Sequence, residues 1–218
     1  MNGRLRHGTG RGGRALRRVA AAAACCLLLS GCDGLDLLPY ARELEGMALM
    51  RTLGVDAAED GVAVTASTGV QSRGEDKGDT PAEVAEQTAG SVSAAVLGMQ
   101  AEGASYVYFG HVGQLLLGEE LARRSAAEAL EYVLRDVEMR LDTELYIVSG
   151  GRAGDAIRLA AEEGSAASRL EAMAEDPGLA SRSMTRTVGE VLSDLEQCGA
   201  SFAPALAPGE GLSPDGYA

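Results

Sequence analysis

Residues 44–70 read L-E-G-M-A-L-M-R-T-L-G-V-D-A-A-E-D-G-V-A-V-T-A-S-T-G-V. Leu44–Val55 is mostly apolar and closes on Gly54-Val55-Asp56. Ala57–Gly61 (A-A-E-D-G) has turn chemistry, and Val62–Val70 then alternates in the Val-x-Val-Thr manner of a strand with two different faces. Two such runs joined by a short turn predict a β-hairpin. Whatever follows it then has a sheet to pack against.

Downstream, helical and strand periodicities alternate. Gln71–Thr80 is polar and Gly-rich and reads as a loop. Thr80-Pro81-Ala82-Glu83 has the form of a capping box with proline at the first helical position, while Ala82–Thr88 equally admits a short strand. Ser91–Gln100 carries Val92, Ala95, Val96 and Met99 at helical spacing. Tyr106–Gly118 reads as a buried strand and Glu119–Arg124 as a helical turn. A second capping box at Ser125–Glu128 opens a helix to about Arg135, and Glu144–Ser149 is another buried strand. Gly154–Glu162 reads as a helix. Residues 163–184 are weakly patterned, with a break at Asp176-Pro177-Gly178. A third capping box, Thr187–Glu190, opens a last helix. The fold expected is α+β: a single domain in which helices pack on a mixed β-sheet opened by a hairpin.

The front of the chain has a different character. The first 18 residues hold six arginines and no acid, and Val19–Leu29 is an uncharged run of 11. That suits a secretory signal and falls short of the roughly 20 residues that span a bilayer. Leu29-Ser30-Gly31-Cys32 completes a lipoprotein signal. Small residues at Ser30 and Gly31 admit a peptidase, and the Cys32 thiol carries a diacylglyceryl group. Its two acyl chains, of palmitate type, would hold the protein on a membrane where a single chain is marginal. The expected organisation is a signal peptide at 1–31, a tether at 32–41, a folded domain at 42–200 and a flexible Pro/Gly-rich tail at 201–218.

From Cys32 onward all 32 acids remain against 13 basic residues, a net charge of −19. Nucleic acid is an unsuitable partner for such a surface, because Lys and Arg must replace its counterions. Cys25 and Cys26 leave with the signal and Cys32 is lipidated, so Cys198 alone gives no disulfide. His111 is the single histidine of the mature chain and suggests a structural ring, hydrogen-bonded at a strand edge, with no metal site. Ser149-Gly150-Gly151-Arg152-Ala153-Gly154 follows a strand and opens a helix, one residue short of a phosphate-cradling glycine pattern, but such a turn needs glycine anyway. Asp136, Glu138 and Asp142 lack a calcium-loop pattern and are expected to pair with Arg135 and Arg140 or to cap the helix-to-strand crossing. Glu119 and Glu120 are adjacent on a helix and face different ways. No nucleophile motif and no cofactor emerge.

One block is distinctive in its order: Tyr108-Phe109-Gly110-His111, then Leu115-Leu116-Leu117-Gly118-Glu119-Glu120-Leu121-Ala122, then Leu134-Arg135-Asp136-Val137-Glu138-Met139-Arg140-Leu141-Asp142-Thr143. It resembles the Ger(x)C family of spore germination lipoproteins, the C subunits of germinant receptors, whose pattern here is close to Y-F-G-H, I-I-G-E-E-L-A and F-x-R-D-x-E-x-R-x-D-T. The Leu29–Cys32 lipobox, Arg42-Glu43-Leu44 with Leu53-Gly54-Val55-Asp56, and Thr187–Leu195 resemble further segments of its N-terminal domain. The family's Trp-Asp after the lipidated cysteine is replaced by Asp33-Gly34. The resemblance covers the N-terminal domain of a family whose members carry two more.

The resemblance implies a non-enzymatic, lipid-anchored assembly component on the outer face of the inner spore membrane. Its partners there would be the membrane-embedded A subunit and the transporter-like B subunit. Tyr108, Phe109, Gly110, His111, Glu119, Glu120, Arg135, Asp136, Arg140 and Asp142 would form the domain core or a subunit contact. A free-standing extracytoplasmic ligand-binding lipoprotein is the competing expectation.

Overall fold

β1 (Met47–Ala58) and β2 (Gly61–Thr68) are the expected hairpin, paired antiparallel from Ala58↔Gly61 to Met50↔Thr68. Gly61 turns the chain at φ 131°, a conformation open to glycine. The structure, a computed structural model, describes residues 18–21, 46–70, 81–103, 105–176, 184–209 and 211–218. Met1–Glu43 forms a unit separate from Leu44–Ala218. Residues 18–21 are helical, and the lipobox Leu29–Cys32 and the tether 32–41 lie outside the described residues.

The hairpin seeds one mixed sheet. Its further strands are β3 (Val84–Ala89), β4 (Tyr106–Tyr108), β5 (Gln114–Gly118), β6 (Glu144–Val148), β7 (Pro204–Gly209) and β8 (Gly211–Tyr217). Their order is β3-β2-β1-β5-β6-β7-β8, with β4 also against β1. β1, β5, β6 and β7 run parallel, while β2, β3 and β8 pair antiparallel with their neighbours. The helices are α1 (Val92–Glu102), α2 (Glu119–Ser125), α3 (Ala127–Arg135), α4 (Ala153–Glu162), α5 (Ala166–Glu175) and α6 (Val188–Cys198).

Both faces of the sheet are covered, which is why β5 is a continuous leucine run. Leu115 and Leu117 enter a core with Val92 and Met99 of α1, Leu130 and Val133 of α3 and Val191 of α6. Leu116, between them, points to the opposite core with Ile157 of α4 and Leu170 of α5. All three leucines are fully buried, each contributing roughly 1.5–3 kcal/mol of apolar transfer.

Several expectations need correction. Of the two readings open for Ala82–Thr88 the strand holds, as β3: just before it the Glu83 N–H donates to Thr68 Oγ1 (2.9 Å), and the Thr68 N–H donates to the Glu83 carbonyl (3.0 Å), so the backbone a helix would need is committed to β2. Thr80 lies outside the described residues. Tyr106–Gly118 is two strands, broken by a turn in which the Val112 N–H donates to the Phe109 carbonyl (3.0 Å). The break matches a bulge in β1 between Met50 and Thr52, since β4 pairs with β1 before it and β5 after it. The bulged residue, Arg51, reaches Glu171 on α5.

Ser125–Glu128 is no capping box. Ala126 holds helical angles and provides no side-chain cap, while the Glu128 carboxylate accepts from the Val92 N–H of α1 (3.1 Å). Within 163–184, residues 166–175 form α5, capped by Ser165 Oγ accepting from the Ser168 N–H (3.0 Å). The expected flexible tail 201–218 is a β-hairpin completing the sheet. β7 adds to β6 through Ile147↔Ala205 and Val148↔Leu206, and Leu206 and Leu212 are each 1% exposed. Proline survives there because Pro204 starts a strand and Pro214 sits on the edge strand β8. The Thr187 capping box is present in full.

Candidate functional site

The block 108–143 begins where β4 ends. The Tyr108 ring crosses over Gly110, where a β-carbon would collide with it, and meets the His111 ring edge-on at 5.8 Å. His111 is therefore exposed on a turn and packed on an aromatic ring, in place of the hydrogen-bonded ring expected at a strand edge. Phe109 is buried in the core.

Glu138 ties this turn to the loop after α3. Its carboxylate accepts from the Tyr106 hydroxyl (2.8 Å) and the Phe109 N–H (3.0 Å). The Val107 N–H donates to Gln100 Oε1 (3.0 Å). The Val107 N–H of β4 and the Phe109 N–H just beyond it thus end on side chains, which closes an edge that could otherwise recruit another strand. Asp136 Oδ1 accepts from the Glu138 N–H (2.9 Å), the capping role expected of it. Burial, with the nearby Asp136 and Glu138 carboxylates, pushes the Tyr132 hydroxyl far above its ordinary value. Between these anchored acids, Val137 is 98% exposed, with Leu134 and Leu141 exposed on either side in sequence.

Arg140 pairs with Asp142, as expected, through Nε and Oδ1 at 2.8 Å; that bond holds the Asp142 carboxyl below the usual range. Arg135 does not join the acids of the loop. It pairs with Glu131 one turn back (2.6 Å). Thr143 Oγ1 donates to the Val112 carbonyl (3.1 Å), and the Gly189 N–H at the start of α6 donates to the Leu141 carbonyl (2.8 Å).

Glu119 and Glu120 are elsewhere. They follow Gly118, the last residue of β5, whereas His111 precedes its first residue. They face different ways, pairing with Arg123 and Arg124 respectively. Arg123 and the Gly150 N–H hold the Glu119 carboxyl below its usual range. The block is accordingly two surfaces at opposite ends of β5.

The Gly150–Gly154 turn shows why it takes no phosphate. Asp56, at the end of β1, already occupies the start of α4: Oδ1 accepts from the Ala153 N–H (2.7 Å) and Oδ2 from the Gly154 N–H (2.9 Å). Arg152 stands 3.8 Å away. Burial raises the Asp56 carboxyl above its usual value, against the lowering pull of those two N–H groups and Arg152. Gly118 and Gly154 leave room for the carboxylate and for Thr65, and Gly54 lets Ile157 of α4 come down on the sheet. Asp56 was absent from the residues singled out in sequence, although the Gly54-Val55-Asp56 triplet was the signal for it.

Among the described residues, no group of three or more His, Cys, Asp or Glu could hold a metal, and no helix is long and apolar enough to cross a membrane. The geometry at 108–143 supports presentation of a rigid surface: a fully exposed valine on a loop locked from both sides. Residues 40–208 match the family described as the spore germination protein N-terminal domain. No curated protein and no solved structure matches the chain.

Proposed function

The chain belongs to the family of the spore germination protein N-terminal domain, and from that premise we propose that it is a lipid-anchored, non-catalytic subunit of a germinant receptor. A role in germination follows from the family. The receptor role is the finer reading, and it is supported most by the loop Asp136–Glu138. Hydrogen bonds from Tyr106, Phe109 and Glu138 itself hold the loop in place, yet it buries nothing of Val137. Such a loop suits contact with another protein chain.

In this reading Cys32 carries the diacylglyceryl group after cleavage behind Leu29-Ser30-Gly31. The domain then faces outward from the inner spore membrane beside the A and B subunits. Tyr108, His111, Arg140 and Asp142 flank the contact, while Phe109, Gly110 and Asp136 shape it. Glu119 and Glu120, at the other end of β5, stand apart from it, and Arg135 beside the loop is engaged with Glu131.

The experiment is a deletion strain complemented with the native chain, Val137→Asp or Cys32→Ala. Deletion is expected to delay nutrient-triggered germination, Val137→Asp to lose co-purification with the A and B subunits while remaining folded, and Cys32→Ala to move the protein to the soluble fraction. Normal germination without co-purifying subunits would replace this reading with that of a free-standing ligand-binding lipoprotein.

A further inference from the structure

A cavity of about 570 Å³ opens on the face of the sheet away from α4, at the far end of β5 from His111. Its floor is Leu117, Leu145 and Ile147, and Leu130 of α3 and Leu195 of α6 form its sides. The volume falls within the roughly 300–1,000 Å³ of small-ligand sites.

Its mouth is polar. Asp215 and Tyr217 flank Gly216, whose φ of 85° breaks the regular alternation of β8, and both line the cavity. The Tyr217 ring is fixed at both ends: it meets Phe202 edge-on at 5.4 Å, and its hydroxyl accepts from the Met184 N–H (2.9 Å). Arg123 at the rim is bound to Glu119 through Nε at 2.8 Å, so its charge is matched. That leaves the Asp215 carboxylate, with no ion-pair partner among the described residues, lining the same cavity as the Tyr217 ring. A carboxylate and a ring face together attract an organic cation.

We propose that this cavity binds a small ammonium ion with an apolar body, an alkyl- or arylamine, its body on Leu117, Leu145 and Ile147 and its charge between Asp215 and Tyr217. The proposal does not depend on the receptor role.

The test is an NMR titration of the full chain with phenethylammonium and with phenylacetate, which share a ring and differ in the sign of the charge. Phenethylammonium is expected to give saturable shifts at Ile147, Leu195 and Tyr217, with phenylacetate roughly tenfold weaker. Asp215→Asn, at an exposed position, should abolish the preference while leaving the fold intact. Ala126→Phe should fill the cavity and weaken both ligands. No saturable binding, equal binding of the two ligands, or a preference that survives Asp215→Asn would overturn the proposal. So would a concentration-dependent dimer that covers Phe202 and Tyr217 and excludes both ligands, which would assign the cavity to a second copy.

Discussion

The carboxylate of Asp56, at the end of β1, fills the space that a side chain on Gly118, at the end of β5, would need. The two strands are parallel neighbours, and α4 begins directly above them with its Ala153 and Gly154 N–H groups on that carboxylate. One buried acid therefore couples the opening hairpin to the glycine-rich turn after β6.

Gly118→Ala should destabilise the domain by about 1–3 kcal/mol through overpacking. Asp56→Ala should cost about as much, because two buried N–H groups lose their acceptor. The double variant should be less unstable than the sum, since the alanine methyl then has room. Urea denaturation of the four proteins measures the coupling. Additivity within about 0.5 kcal/mol would mean the contact is not made.

Asp56 also predicts a pH dependence. Its folded pKa is raised by burial, so between the unfolded value, near 3.8, and the folded one the native state holds the extra proton. Its contribution is greatest below the unfolded value and declines as pH rises through the folded one. Relative to Asp56→Asn, the native chain should gain stability as pH falls from 7 toward 4. An opposite slope in the difference between the two would contradict the assignment.

Glu138→Ala removes the acceptor of the Phe109 N–H and the Tyr106 hydroxyl. A loss of about 1–3 kcal/mol is expected, with faster hydrogen exchange at Phe109. Glu138→Gln keeps one acceptor oxygen and should recover part of the protection. Unchanged exchange in both variants would remove Glu138 from its role at the β4 edge.

The C-terminal hairpin can be tested by contrast. Leu206→Asp places a charge at a position 1% exposed and should unfold the domain, whereas Ser213→Asp, on an exposed position of β8, should leave the melting temperature within a few degrees. A flexible tail would tolerate both.

Much of the fold was legible because it is encoded over short distances. The Val62–Val70 alternation and the leucines 115–117 declare strands by their own spacing, and Thr187–Glu190 carries all the atoms of its cap within four residues. The same local signals left helix and strand undecided at Pro81–Glu83 and failed at Ser125–Glu128. There a distant group competed: the backbone of Thr68 in the first case, and in the second the α1 N-terminus that draws Glu128 away. α5 was missed because its buried positions include two small alanines, Ala166 and Ala167, and only Leu170 and Met173 are large.

By itself the sequence determined the hairpin, the alternation of helices with buried strands and the order of residues in the 108–143 block, since each depends on spacing within one segment. Tertiary structure alone decided that the block splits between two ends of β5, that residues 204–217 become sheet, and that Asp56 caps a helix 97 positions away. Each of those needs segments remote in the chain to meet at hydrogen-bonding distance, and no local periodicity specifies which remote backbone a buried carboxylate or an edge strand will find.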